Sequence, residues 1–254
     1  MSLIKEAAYK ALDAVTFGRG VGRDIGGEHI KFPARWSRYY EADYEPQTFM
    51  FFRENLKGGE TVLDIGGHIG LFAVVTSRLV GDTGKVFTFE PTPFTRSVMK
   101  QVIELNGCSK NVEIRGEAVS SKRGETVFFD TGDSISNANS LVKTERSVRE
   151  IPITLISVDE VVKERNLKVD CLKIDVEGAE LDLLIGAKET FLGQRPVARL
   201  GLHPPAIVQN GQTLEEIWQV LADYKLQVIF DGEPAEKEWF CSQPELFDVN
   251  LLPF

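Results

Sequence analysis

Strand-like and helix-like patterns alternate through the middle of the chain. Residues 61–65 and 85–89 are short apolar runs that predict buried strands, and residues 111–115 predict a third. Between them, apolar residues recur at helical spacing in two segments, and Pro93 opens the second of these helices. This βαβαβ order predicts parallel strands joined by helical crossovers.

The second half of the chain continues this pattern with less regular spacing. Further strands are predicted at residues 125–130, 151–156, 169–175, 197–202, 226–230 and 247–252. Thr213 with Glu216 predicts a capping box at the start of a helix. Residues 131–150 are polar and aperiodic, which is typical of a mobile binding loop. We therefore predict one doubly wound α/β domain, residues 45–254, with seven strands in its sheet.

Residues 1–44 are predicted to form an extension that covers the core. Residues 1–17 space their apolar side chains as an amphipathic helix does, packed on the domain or on the partner of a homodimer. Residues 19–44 are rich in aromatic side chains, which predict either a cover over the core or a wall of the substrate pocket. We expect this segment and the loop at 131–150 to recognise the substrate.

Composition narrows the class of partner. The 254 residues carry a net charge of -9, which argues against nucleic acid, because lysine and arginine supply non-specific affinity for phosphate. The three cysteines, Cys108, Cys171 and Cys241, lie far apart and predict buried thiols in a reducing compartment rather than a zinc site. No apolar stretch is long enough to predict a membrane span, so a cytoplasmic protein is the expectation.

Five of the predicted strands are each followed by a polar residue. Asp64, Glu90 and Glu117 follow the first three strands, and Asp175 and His203 follow two later ones. In an open parallel sheet, ligands bind beyond the carboxyl ends of the strands. These five side chains therefore predict a binding cleft at one edge of the sheet.

The glycines after the first strand do not form a dinucleotide fingerprint. The GxGxxG pattern aligned on Gly67 and Gly70 would need a third glycine at Ile65, and the other alignment fails as well. Glu90 suits the two hydroxyls of an adenosine ribose, and its charge disfavours a ribose phosphate. An adenosine ligand without phosphates that carries a sulfonium cation fits best. S-adenosylmethionine is therefore the predicted cofactor, and an NAD-dependent oxidoreductase is the alternative.

Four stretches of the sequence form a recognisable set. They are LDIGGHIG at 63–70, FEP at 89–91, LKIDVEGAE at 172–180 and LHP at 202–204. Over residues 45–231 the chain resembles the FkbM family of S-adenosylmethionine-dependent methyltransferases. The resemblance implies the class I methyltransferase fold, which is Rossmann-like and doubly wound, with a mostly parallel sheet and an antiparallel last strand. It also implies an O-methyltransferase acting on a hydroxyl of a sugar, glycan or secondary metabolite.

The resemblance further implies which residues bind the cofactor. In chain order they are Glu45, Asp64, Gly66, Gly67, His68, Glu90, Glu117, Ala118 and Asp175. The glycine turn would border the methionine end of the cofactor, Glu90 the ribose, and Glu117 the adenine. Gly67 and His68 depart from the alanine and asparagine that are usual in the family, and this departure leaves a catalytically silent binding module as a further alternative.

His203 is the predicted general base. A hydroxyl is a poor nucleophile, and the intrinsic pKa of an imidazole suits it to take up the proton. A histidine that only caps the edge of the sheet is the structural alternative. Asp175 and Glu177 are expected to orient His203, to bind substrate hydroxyls or to hold the cofactor ammonium. These three side chains offer ligand atoms for Mg²⁺, but no ligand spacing in the sequence supports a metal, and none is predicted.

Overall fold

The computed structural model describes residues 9, 15–16, 18–130 and 149–254. All but three residues of the predicted N-terminal helix therefore lie outside the described residues, and so do residues 131–148 of the predicted loop. That loop is predicted to extend to residue 150, but Arg149 and Glu150 belong to a strand.

The described residues form strands and helices in alternation. The strands are β1 (Val21–Ile25), β2 (Glu28–Phe32), β3 (Thr61–Ile65), β4 (Lys85–Phe89), β5 (Val112–Arg115), β6 (Ala118–Val119), β7 (Gly124–Asp130), β8 (Arg149–Ile156), β9 (Cys171–Ile174), β10 (Val197–Leu202), β11 (Leu226–Phe230), β12 (Glu233–Pro234) and β13 (Phe247–Pro253). The helices are α1 (Pro46–Asn55), α2 (Leu71–Val80), α3 (Pro93–Leu105), α4 (Val158–Arg165), α5 (Glu180–Ile185), α6 (Lys188–Gln194), α7 (Pro204–Gln209), α8 (Leu214–Asp223) and α9 (Lys237–Cys241).

A mostly parallel sheet occupies the centre of the molecule. Its strand order is β12-β11-β13-β10-β9-β3-β4-β5. Strands β10, β9, β3, β4 and β5 pair in parallel, whereas β13 lies antiparallel between β10 and β11. The predicted doubly wound sheet with an antiparallel last strand is thus confirmed. The sheet has one strand more than predicted, because β12 has only two residues and leaves no periodic pattern.

Two apolar cores cover the two faces of this sheet. Val62 of β3 and Val86 of β4 pack with helices α1, α2 and α3 in one core. Leu63 and Phe87, their neighbours along the same strands, pack with helices α4, α5, α6 and α8 in the other. Because both faces are buried, β3 reads as a continuous apolar run rather than an alternating one.

The extension contains a β-hairpin that has no counterpart among the predicted elements. Strands β1 and β2 pair antiparallel across Gly26 and Gly27, which both have positive φ, as the preferred two-residue turn requires. Ile25, Ile30 and Phe32 are buried in the same core as helices α1 to α3. These three side chains of the extension thus pack against the domain core.

Strands β6, β8 and β7 form a separate small sheet beside the main one. Its order is β6-β8-β7, with β7 and β8 antiparallel over seven residue pairs. It continues directly from β5 and therefore carries Ala118 to the edge of the main sheet.

Local signals placed most helix starts correctly. The predicted capping box of Thr213 and Glu216 begins α8, and a second one of Ser157 and Glu160 begins α4. Helix α7 was not predicted; its first two residues are Pro204 and Pro205, which are preorganised for a first turn. This helix leaves His203 as its N-terminal cap residue, at the end of β10.

Two further expectations concern the thiols and the membrane. Cys108 and Cys171 are buried, Cys241 is half-buried, and all three are free thiols. Among the helices of the described ranges, none has both the length and the apolar character needed to cross a bilayer.

Candidate active site

A cleft of two adjoining cavities lies at the carboxyl edge of the sheet. Both cavities are lined by Gly66, His68, Asp175 and Glu177, which form the boundary between them. The first cavity extends towards β4, β5 and β6, and the second towards the N-terminal extension and β10. Of the predicted site residues, only Asp64 lines neither cavity.

The first cavity combines apolar walls with one buried carboxylate. Its other lining residues are Ile65, Phe89, Glu90, Pro91, Glu117, Ala118, Val119, Phe128 and Val176. The backbone N–H of Thr92 donates to Glu90 Oε1 at 2.8 Å. Burial raises the pKa of Glu90 to about 7, against the hydrogen bonds that favour its ionised form. This carboxylate can accept two hydroxyl hydrogens from a ligand in the cavity.

Glu117 is an ion-paired residue at the rim of this cavity. Arg115 donates to its two carboxylate oxygens at 2.5 and 3.2 Å. Burial alone would raise the pKa of Glu117, but the hydrogen bonds from Arg115 and from backbone outweigh it and lower the pKa. Ala118 follows directly and presents a small apolar surface.

The turn after β3 brings the backbone of two strands together. Gly66 has a φ of +83°, and a Cβ at this position would overlap the carbonyl oxygen of Asp175. Only glycine therefore fits there. Asp64 lies buried beneath the turn, where the hydroxyl of Thr88 donates to its Oδ2 at 2.8 Å and its Oδ1 has no partner. Burial raises the pKa of Asp64.

His68 connects this turn to the N-terminal extension. The hydroxyl of Tyr40 lies 2.9 Å from its Nδ1, and the ring of Tyr39 lies 4.9 Å from its ring. Burial lowers the pKa of His68 to about 4, so the imidazole is neutral at physiological pH. Its Nε2 is inaccessible to solvent and has no hydrogen-bond partner among the residues that the structure describes. A polar atom of this kind indicates a bound group in the adjoining cleft.

The second cavity has a volume of about 310 Å³ and mixes aromatic with charged side chains. Its other lining residues are Tyr39, Tyr40, Tyr44, Glu45, Gly67, Leu71, Phe72, Lys173, His203, Leu246 and Asp248. The three tyrosines come from the extension, whose residues 19–44 were also interpreted as a wall of the substrate pocket. Glu45 caps helix α1 with a φ of +40° and accepts a hydrogen bond from Thr48 at 3.0 Å.

Three ionisable side chains converge where the two cavities meet. His203 Nε2 lies 3.5 Å from Asp175 Oδ1 and 3.5 Å from Glu177 Oε1. His203 Nδ1 lies 2.8 Å from Oε1 of Glu180, which is completely buried. We call Asp175, Glu177 and His203 the triad. The sheet therefore brings together the residues that were predicted as catalytic.

The charges of the triad depend on one another. Burial alone would lower the pKa of His203, but its hydrogen bond to Glu180 and the charges of Glu177 and Asp175 raise it to about 9. Burial raises the pKa of Glu177 to about 7. Burial would also raise the pKa of Asp175, yet Lys173 and His203 lower it. In the free protein at neutral pH, His203 thus holds a proton and the carboxylates are the available proton acceptors.

Sequence reasoning gave no role to two residues of this site. Lys173 is buried, and its Nζ lies 3.1 Å from Asp175 Oδ2. Glu180 belongs to the quoted LKIDVEGAE stretch, but nothing in the pattern shows that it faces His203. The available signal was an acidic residue, Glu180, at a helix position expected to be buried. Buried acidic residues are nearly always paired, so Glu180 needed a partner.

The fold and the cleft together define a class of protein. A doubly wound sheet with an antiparallel strand between β10 and β11, a glycine turn after β3 and an acidic residue after β4 is the class I S-adenosylmethionine-dependent methyltransferase architecture. Residues 64–227 match the Methyltransferase FkbM domain family. The chain belongs to this family, and the cofactor that membership implies is S-adenosylmethionine. The NAD-dependent alternative is thereby set aside.

Two named relatives and one solved structure are similar to parts of this chain. Methyltransferase sdnD of Sordaria araneosa is 27% identical over 165 residues, which are 53% of this chain and 63% of the relative. The arginine N(omega)-methyltransferase of Streptomyces achromogenes subsp. streptozoticus is 29% identical over 109 residues, 42% of this chain and 27% of that relative. The chain thus covers less than two thirds of either relative. The solved FkbM methyltransferase of Methylobacillus flagellatus KT is similar with a TM-score of 0.48 and 13% identity, over 81% of this chain and 51% of that one.

Proposed function

We propose that the chain transfers a methyl group to a hydroxyl oxygen of a sugar, glycan or secondary metabolite. The observation that carries this proposal is the junction of the two cavities. The apolar first cavity with its buried Glu90 suits an adenosine, and it opens at Asp175 and Glu177 into a larger polar cavity. A methyl group at the junction would face an acceptor held among the triad and the tyrosines.

The residues of the first cavity and of the glycine turn fit the cofactor. Glu90 would hold the ribose hydroxyls, Glu117 and Ala118 would border the adenine, and the turn at Gly66 and Gly67 would allow close approach of the methionine end. The unpartnered Nε2 of His68 supports a polar ligand beside this turn. The cofactor supplies an electrophilic methyl group on a sulfonium sulfur.

Three more carboxylates would complete the methionine end. Glu45 and Asp175 line the second cavity next to the turn, and each can pair with the cofactor ammonium. Asp64 would act from beneath the turn through its unpartnered Oδ1, since it does not reach the cavity surface.

In the proposed reaction the triad takes up the proton of the acceptor hydroxyl. Positioned proton acceptors contribute typically ~10²–10⁴-fold in rate. His203 Nε2 lies within ion-pairing distance of Asp175 Oδ1 and of Glu177 Oε1, and the three side chains are partly accessible from the second cavity. Holding the hydroxyl in line with the methyl group contributes a larger part of the barrier reduction, up to about 7–11 kcal/mol.

Methyl transfer to nitrogen is the second candidate function. The second cavity contains four carboxylates and three tyrosines, a set that also suits a cationic guanidinium or ammonium. The similarity to an arginine N(omega)-methyltransferase supports this candidate. An amine acceptor would likewise release its proton to the triad.

The test is to supply labelled S-adenosylmethionine with two matched acceptor sets. One set contains sugars and polyol natural products, and the other contains guanidino and amino compounds without free hydroxyls. We expect label in the first set and a product whose methyl sits on oxygen by NMR. Label confined to the second set would replace O-methylation by N-methylation.

A further inference from the structure

We propose that Asp175, Glu177 and His203 form a binding site for one divalent metal ion. The three side chains come from two loops at the ends of neighbouring strands β9 and β10, and all three line the second cavity. One ligand atom from each can be chosen so that all three lie within 4.8 Å of one another.

The distances from the His203 nitrogen to the two carboxylate oxygens match a common coordination shell. Ligand atoms about 2.1 Å from one cation lie about 3.0–3.6 Å apart at the usual bond angles. The distances of 3.5 Å from His203 Nε2 to Asp175 Oδ1 and to Glu177 Oε1 fall in this range. Imidazole is a poor ligand for Ca²⁺ and Mg²⁺, so the mixed set favours a first-row transition metal such as Mn²⁺.

Two of the three ligands, His203 and Asp175, are oriented by partners that a bound cation would not displace. The buried Glu180 lies 2.8 Å from His203 Nδ1, which directs Nε2 towards the two carboxylates. Metal-binding histidines commonly hold a carboxylate on the other ring nitrogen in this way. Lys173 occupies Asp175 Oδ2 at 3.1 Å and leaves Oδ1 to the site.

His68 provides an independent indication of a ligand in the same cavity. Within the described ranges its buried Nε2 has no hydrogen-bond partner, and His68 lines the second cavity together with all three proposed ligands. In the tautomer in which the Tyr40 hydroxyl donates to Nδ1, Nε2 carries the hydrogen. It can then donate to an oxygen that completes the coordination of the cation.

The catalytic consequence rests on the proposed function. A cation on His203 Nε2 prevents this nitrogen from taking up the acceptor proton. The cation instead lowers the pKa of a hydroxyl that it contacts. His203 Nε2 therefore cannot accept a proton and bind a cation at the same time. The experiments below distinguish the two roles.

Mn²⁺ binding to the whole chain, measured without an acceptor, tests the site. The protein is treated with EDTA, desalted and titrated with MnCl₂ while the sharp electron paramagnetic resonance signal of free Mn²⁺ is followed. We expect one Mn²⁺ per chain. Glu177→Gln and His203→Gln should each weaken binding at least tenfold, and Glu180→Gln about tenfold through the orientation of His203.

His29→Gln is the matched control, because His29 is exposed and lies outside the cleft. Its Mn²⁺ affinity should equal that of the unaltered chain. Retained binding of S-adenosylhomocysteine, measured by calorimetry, shows that each variant is folded. No loss of the free Mn²⁺ signal at millimolar MnCl₂, or equal binding by the Glu177→Gln and His203→Gln variants, overturns the site.

Activity then separates this inference from the proposed function. EDTA should lower the rate of methyl transfer at least tenfold, and Mn²⁺ should restore it. The affinity for S-adenosylhomocysteine should stay unchanged. Full activity in EDTA overturns the catalytic role of the metal and leaves the methyl transfer intact. Mn²⁺ binding to the triad without any methyl transfer to hydroxyl acceptors supports the site and contradicts the proposed function.

Discussion

The two halves of the cleft are built in different ways. In the cofactor half, the site residues follow consecutive parallel strands, and their positions come from the register of β3, β4 and β5. In the acceptor half, the lining residues come from the extension, the loop after β9, the end of β10 and the segment before β13. No single element supports this half.

The backbone determines the geometry of the cofactor half. Contacts between side chains determine the geometry of the acceptor half. The sharp turn at Gly66 needs no partner beyond the strands that flank it. His203, by contrast, depends on Glu180, and His68 depends on Tyr40, residues that are 23 and 28 positions away in the chain. We expect the cofactor half to fail through backbone changes and the acceptor half through the loss of single polar groups.

Gly66→Ala should have the largest effect of the five changes. Its direct effect is on cofactor binding, the property of the cofactor half. The added Cβ would overlap the Asp175 carbonyl oxygen at a φ of +83°. Overpacking of this kind costs about 1–3 kcal/mol of unfolding free energy and here displaces the turn itself. Calorimetry should detect no binding of S-adenosylhomocysteine.

Gly193→Ala is the control for this change. It lies in helix α6, where a Cβ would have nothing within 4 Å, so binding should be unaltered. Unchanged affinity in Gly66→Ala would show that the turn does not approach the cofactor.

His203→Ala should lower kcat by about 10²–10⁴-fold while the affinity for S-adenosylhomocysteine changes little. The acceptor half would lose its reactive group, and the cofactor half would remain. Steady-state kinetics and calorimetry on the same preparation measure both. His29→Ala should match the unaltered chain, and a kcat retained in His203→Ala removes His203 from the reaction.

Glu90→Gln should lower the affinity for S-adenosylhomocysteine about 10–100-fold, because hydrogen bonds to a charged group contribute roughly 1.5–3 kcal/mol. The effect should appear in cofactor binding and leave the acceptor KM nearly constant. Glu104→Gln, an exposed residue on α3, serves as the control. An acceptor KM that rises as much as the cofactor affinity falls would contradict the separation of the halves.

The pH dependence of cofactor binding should follow Glu90, whose pKa burial raises to about 7. Below this value the free carboxyl is protonated and accepts ribose hydroxyls less well, so affinity decreases as pH falls. Between about pH 8 and about pH 6 the loss should be about tenfold. Glu90→Gln should abolish this dependence, and a slope that persists in the variant assigns it to another group.

Tyr40→Phe should have the smallest effect, and it tests the link between the halves. Removing the hydroxyl that lies 2.9 Å from His68 Nδ1 costs about 1 kcal/mol, or roughly fivefold in affinity. Because His68 lines both cavities, both the cofactor affinity and the acceptor KM should change. An effect on only one of them would show that His68 serves a single half.

Much of the sheet and its cofactor half could be predicted from the sequence, because the signals are local. The bounds of β3, β4 and β10 follow from contiguous apolar runs, and Gly66 and Glu90 follow from their distance to those runs. The hairpin β1–β2 also carried a local signal, the Gly26-Gly27 pair, which the aromatic composition around it obscured.

The acceptor half could be predicted only in part, because its contacts are long-range. His203 was predicted to lie near Asp175 from the ends of parallel strands, and it does. The raised pKa of His203 was not foreseen, since it comes from Glu180 at the start of another helix. Asp64 is held beneath the turn by Thr88 of the neighbouring strand. The spacing of residues along one strand does not indicate such a contact between strands.

The antiparallel strand β13 makes assembly of the sheet depend on the order of synthesis. It fills the place between β10 and β11, and Val249 and Leu251 are completely buried there. During translation, β10 and β11 emerge first and each presents an unpaired edge towards the gap. The ribosome has to release residues 247–253 before this gap can close, so the two edges stay open to edge-to-edge association until that segment has emerged.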